Sequence, residues 1–156
     1  MEFEVPEEML RRGRPENQNF SNGEELYRRV HSDYFRPELG PIPVYAVELP
    51  NTSFNRQSPN GKPEFVLYDV KARIHRRAFG IVAINCEHVP FQSGIDLAEP
   101  KSTRTVVEHD PLEENYFHSE IRVRDAKNEI VSLPDSKRSI YRVRVRANLR
   151  VIRKAQ

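Results

Sequence analysis

The run Phe79-Gly80-Ile81-Val82-Ala83-Ile84 constrains the fold more than any other stretch of the chain. It is apolar at successive positions and rich in β-branched residues, so it reads as a strand covered on both faces. Such a strand needs a layer on each side, which puts it in the middle of a core. A chain of 156 residues can supply that core by itself, because a domain of this size buries roughly 70% of its unfolded surface without disulfide or metal staples. With 6 glycines, no sustained heptads and no apolar run near the roughly 20 residues of a membrane helix, collagen, coiled-coil and membrane-spanning classes are excluded.

Around this strand the pattern predicts an α+β fold: a mainly antiparallel, twisted sheet with one or two helices packed on it. Short connections leave little room for crossover helices, hence the antiparallel order. Residues 1–20 carry few large apolar side chains and read as a flexible N-terminal arm, with 21–156 as the single domain. Ser21 and Glu24 stand at capping-box spacing before Leu26, Tyr27, Val30 and Tyr34, which predicts a helix over about 22–35. Strands are expected at 44–49, 103–108, 119–124 and briefly around 130–133, with polar loops at 54–63 and 90–102 and a turn at 125–128. Residues 64–70 suit either a helical turn or a strand. In the strand at 119–124, Ile121 and Val123 take one face and His118, Glu120, Arg122 and Arg124 the other. From Tyr141 to Val151, apolar residues alternate with Arg142, Arg144, Arg146 and Arg150, which predicts a long strand.

The net charge of +2 conceals an asymmetry. Residues 137–156 hold eight Lys or Arg and no acid, so the other 136 residues carry −6. A basic end of this kind suits a phosphate-rich or acidic partner, either nucleic acid or an acidic protein. On a strand, Arg142, Arg144 and Arg146 would stand about 6.6–7 Å apart, comparable with the spacing of phosphates along a nucleic acid strand. Pairing of these arginines with Glu120 or with the acidic N-terminal residues is the plainer alternative. The N-terminus is acidic where a presequence would be basic, and the single cysteine, Cys86, excludes an internal disulfide. Both point to a cytoplasmic protein with no membrane partner. No Walker A, G-x-G-x-x-G, G-x-S-x-G or H-E-x-x-H motif occurs, so no cofactor is implied.

The richest chemistry lies in His109-Asp110-Pro111-Leu112-Glu113-Glu114-Asn115-Tyr116-Phe117-His118-Ser119-Glu120. A hairpin there brings His109 and His118 to the rims of one turn. Two imidazoles so placed could work as acid and base with Glu120, or bind a divalent metal with Glu120 or Asp110. They could equally bond to the backbone while Asp110 and Asn115 cap the turn. Arg56, in the loop segment Ser53-Phe54-Asn55-Arg56, could offer a planar fork to phosphate or carboxylate. His31 reads as a core histidine, His75 as part of a solvated basic run, and Cys86 as a buried structural thiol beside His88.

The segments Leu26-Tyr27-Arg28-Arg29-Val30-His31, Ser53-Phe54-Asn55-Arg56 and His109 to Ile121 resemble, in that order, a family of small uncharacterised bacterial proteins. Those proteins share a Leu-Tyr-Arg-Arg-Val/Ile-His opening, a Ser-x-Asn-Arg loop and a His-x-Pro-Leu-x-x-Asn-Tyr-x-His-x-Glu block. The likeness spans about residues 25–125, and it implies that Arg56, His109, Asn115, His118 and Glu120 share one site; Tyr116, within the same block, is expected as a substrate contact. The order His-x-Pro-Leu-x-x-Asn-x-x-His also resembles the HNH nucleases. Here, however, His109 and Asn115 are too close for that finger, and a strand replaces the metal-bearing helix after His118. Two functions follow as expectations: a binding module of a bacterial multi-protein or defence system, or a small nuclease, phosphodiesterase or toxin-like enzyme using His109 and His118.

Overall fold

The computed structural model describes residues 2–31, 51–58, 60–89, 103–125, 127–131 and 135–154. The fold is α+β, built on one antiparallel sheet of six strands. The strands are β1 (Glu25–Val30), β2 (Asn51–Arg56), β5 (Gly80–Asn85), β6 (Thr103–His109), β7 (His118–Asp125) and β8 (Arg150–Arg153). They lie in the order β6-β7-β2-β1-β5-β8, with the short strands β3 (Tyr68–Asp69) and β4 (Ile74–His75) forming a separate hairpin. The helix α1 (Asp135–Asn148) leads directly into β8.

The doubly apolar run behaves as its composition demands. Five successive residues of β5, Gly80 to Ile84, are buried. On one face of the sheet Leu26, Phe54, Ile84, Val107, Ile121 and Val123 pack with Tyr141 and Val145 of α1. On the other, Tyr27, Ile81 and Ala83 pack with Val66 and Leu67, which belong to a 3-10 turn at Pro63–Leu67. The ambiguous stretch 64–70 therefore takes both of its expected forms, a turn and then β3.

Two elements take the opposite class from the expected one, each for its own reason. The segment read as a helix from 22 is the strand β1, in which Leu26 and Tyr27 face opposite sides and are both buried. A strand covered on both faces no longer alternates, and its apolar residues can fall at helical spacing. Glu24 does not close a capping box; it turns to Arg56. Conversely, the segment 141–151 is helix to Asn148 and strand only from Arg150. Tyr141 and Val145 are buried, whereas Val143 is 48% exposed, which a strand would not allow. Positions i, i+4 and i+8 belong to both periods, so the alternation concealed the helix.

The segment read as a loop from 54 continues β2 to Arg56. Its turn then closes on Gly61, where a Cβ would lie 2.1 Å from the Arg56 carbonyl oxygen. The turn at 125–128 forms as expected: Asn128 adopts φ 66° and donates its N–H to the Asp125 carbonyl at 2.9 Å. Ile130 makes a single bridge with Arg124. The expected strand at 44–49, the loop at 90–102 and the end of the 130–133 strand lie outside the described residues.

The N-terminal segment is anchored by a small apolar patch and by polar bonds. Val5 and Met9 pack with Phe65, Tyr116 and Phe117. Met9 accepts the Tyr116 N–H at 2.7 Å, and Arg14 stacks over the Tyr116 ring at 3.9 Å.

Candidate functional site

In the β6–β7 hairpin His109 pairs directly with Ser119. Paired residues share a face and neighbours alternate, so His109 and His118 project from opposite faces of the sheet. The expected acid–base pair is not assembled.

His109 is only 2% exposed, and both of its ring nitrogens are occupied. Nδ1 accepts the Asn17 N–H at 2.9 Å, which leaves Nε2 to donate to the Tyr116 carbonyl at 2.6 Å. Burial holds its pKa below the ordinary imidazole range; the nearby Arg56 charge acts in the same direction, and the Tyr116 bond opposes them. Gln18 clamps the His109 backbone at both its N–H and its carbonyl. Tyr116 is equally committed, its ring edge-on to His109 at 4.9 Å and its hydroxyl donating to the Pro15 carbonyl at 2.8 Å. Both residues serve the N-terminal segment and present nothing to a substrate.

Arg56 is likewise turned inward, because it stands two positions after Phe54 along β2 and so shares the helix-bearing face. Its Nε and Nη2 form a fork on the two Glu24 oxygens at 2.8 and 3.0 Å, both side chains being 2% exposed. The remaining donors reach the Asn17 and Asn19 carbonyls, and the guanidinium stacks on Phe20 at 4.0 Å. The fork expected for phosphate is therefore spent on Glu24. Long-range contacts of this kind carry no local sequence signal.

On the opposite face His118, Asn115 and Glu120 do come together, in a cleft of about 930 Å³. Its floor is formed by β1, β2 and β7, and its wall by residues 66–72. His118 donates Nδ1–H to the Asp110 carbonyl at 2.9 Å, and its Nε2 lies 3.7 Å from Glu120. Asn55, missed as a candidate because it reads as a loop residue, sits beside His118 in register. The Phe117 N–H donates to Asn115 Oδ1, and Asn115 Nδ2 then donates to Asn55 Oδ1 at 2.8 Å. That relay fixes both amides and leaves the buried Asn55 Nδ2 without an acceptor.

Asp110, His118 and Glu120 could hold a metal ion by spacing alone. Arg122 already fills the cationic role there, bonding to Asp110 at 2.9 Å, to Glu120 at 2.8 Å and to Glu108 at 2.8 Å. Burial pushes the Glu108 pKa up, but bonds from Arg124 and Arg122 outweigh it and hold the carboxyl below its usual range. A divalent cation beside a fixed guanidinium would be repelled. Cys86 is buried and its thiol pushed up to about 12, by burial first and then by Glu24, so it is an inert core residue. His31, expected in the core, is exposed at the cleft rim with its ring 4.9 Å from Phe79. His75 stacks on Tyr68 at 4.2 Å.

The three tail arginines do not form a row. On α1, Arg142 and Arg146 are one turn apart on one flank of the buried Tyr141–Val145 stripe, and Arg144 lies on the other flank. Farther along, Arg150 bonds to Glu25, and Arg153 donates to the Arg77 carbonyl at 2.5 Å. Among the described residues, neither Arg144 nor Arg146 has a carboxylate partner. No helix among the described residues is long and apolar enough to cross a membrane. Comparison with protein-family models, curated proteins and solved structures finds no match to this chain.

Proposed function

We propose that the protein is a binding module which recognises a phosphate-rich or acidic partner through its C-terminal helix and strand. One observation carries this reading: Arg144 and Arg146 find no carboxylate among the described residues, although the chain pairs its other central arginines closely. The exposed Arg144 and the half-buried Arg146 on a helix, together with the exposed apolar side chains of Val143, Val151 and Ile152, suit a polyanion or an acidic protein surface. The separation of His109 from His118 argues against the alternative of a nuclease built on that pair. A cytoplasmic setting, in a bacterial multi-protein or defence system, belongs to the same proposal, and the reduced, buried Cys86 is consistent with it.

The test is fluorescence anisotropy of a labelled single-stranded oligonucleotide, with poly-glutamate as competitor. Saturable binding that poly-glutamate displaces is expected. Binding of neither polyanion at low salt would overturn the reading.

A further inference from the structure

The cleft on the sheet face opposite α1 is separate from the basic C-terminal surface, and nothing in the proposed function uses it. We propose that it is a second binding site, which takes a small ligand through an oxyanion, phosphate or carboxylate, seated between His118 and Asn55.

Three observations converge. The first is the orphan donor. Asn55 is 4% exposed, and its amide orientation is dictated by the relay from Phe117 through Asn115, so Nδ2 cannot turn to another protein acceptor without breaking that relay. A buried donor without a partner is costly, and an oxygen atom brought against the cleft floor would recover that cost.

The second is His118. Its Nδ1–H is held by the Asp110 carbonyl, which fixes the ring and leaves Nε2, 3.7 Å from Glu120, as the ring nitrogen free to meet a ligand. Asn55 and His118 are direct cross-strand partners, so the two groups can grip one ligand atom set from adjacent strands.

The third is the charge balance. The acids of the cleft, Asp69 and Glu120, are already neutralised: Asp69 by Arg29 at 3.1 Å and Arg76 at 3.3 Å, Glu120 by Arg122 at 2.6 Å. Lys71, exposed on the rim, forms no ion pair among the described residues. An entering anion therefore meets acids that are already ion-paired, with Lys71 on the rim to attract it, while Glu120, which shares Arg122 with Glu108 and Asp110, stays 3.7 Å from His118 Nε2. The volume, about 930 Å³, is within the range of small-molecule sites, so the oxyanion would be one end of a larger ligand.

The experiment is nuclear magnetic resonance of the wild-type protein, titrated at constant ionic strength with inorganic phosphate, a nucleoside monophosphate and succinate. Saturable shifts of the His118 imidazole and the Asn55 side-chain amide are expected with at least one probe. Response to phosphate and the monophosphate alone assigns a phosphate ligand, response to succinate alone a carboxylate, and response to all three an oxyanion subsite. His118→Gln should weaken the affinity by about tenfold or more, while Arg144→Ala/Arg146→Ala leaves it unchanged, which separates this site from the polyanion surface. No saturable shift at either residue with any probe, or unchanged affinity in His118→Gln, would overturn the proposal.

Discussion

The central arginines of the sheet and Arg144 and Arg146 of α1 have the same chemistry and opposite fates. Arg56 is sealed against Glu24 under the N-terminal segment, and Arg122 and Arg124 share Glu108 within a network on the β6–β7 hairpin. Arg144 and Arg146 flank a helix whose buried stripe is apolar, and they end without a carboxylate among the described residues. The difference shows that a count of basic residues says little about which charges a partner can reach. What decides it is whether the backbone aims the guanidinium at a carboxylate of the same chain.

Removing an inner arginine should have the largest effect. Arg56→Ala strands Glu24 as a buried, unpaired carboxylate and is expected to cost about 3–5 kcal/mol. Urea denaturation measures it, and replacing both partners by apolar residues should recover most of the loss. A cost below about 1 kcal/mol would mean that the pair behaves like a surface one. Arg122→Ala comes next, at about 1–3 kcal/mol, because it leaves three carboxylates crowded and half-buried.

Acidification should act through His109. Its folded-state pKa lies below its unfolded value, so the unfolded chain binds the proton more readily. The stability gained from the neutral ring is therefore complete above about pH 6.5–7 and is lost as the pH falls below that value. His75 is also shifted down, by burial and then by Arg77, and adds a smaller loss in the same window. His109→Gln should flatten the dependence of Tm on pH between about 5 and 7; an unaltered slope would remove His109 from the account. Smallest of all is the outer pair: Arg144→Ala/Arg146→Ala should change stability by no more than about 0.5 kcal/mol in the same denaturation assay.

Much of the sheet was legible in the sequence. The strands β6 and β7 alternate cleanly because one face is buried, and the faces assigned to Ile121, Val123, His118 and Glu120 are the observed ones. The Asp125–Asn128 turn was legible because Asn tolerates positive φ. β1 and α1 were exchanged with each other's class because burial on two faces destroys alternation, while i, i+4, i+8 spacing imitates it. Val143 and Ala147 were the apolar positions between Tyr141 and Leu149 that could separate strand from helix, and both lie on solvent. The candidate site was legible only in part. His118, Glu120 and Asn115 do share a cleft, but hairpin register decides that His109 faces away from it, and spacing alone does not give register. The partners of Arg56 lie 32 and more residues away in sequence, beyond any local pattern.

The contrast between inner and outer arginines is tested most directly by the salt dependence of oligonucleotide binding. Each phosphate neutralised contributes about 0.9 to the slope of log K against log salt for a duplex, and about 0.7 for a single strand. Wild-type protein should show a steep slope, and Arg144→Ala/Arg146→Ala should lower its magnitude by about 1–2 at unchanged Tm. An identical slope and affinity in the double variant would contradict the assignment of these two arginines as the contact surface.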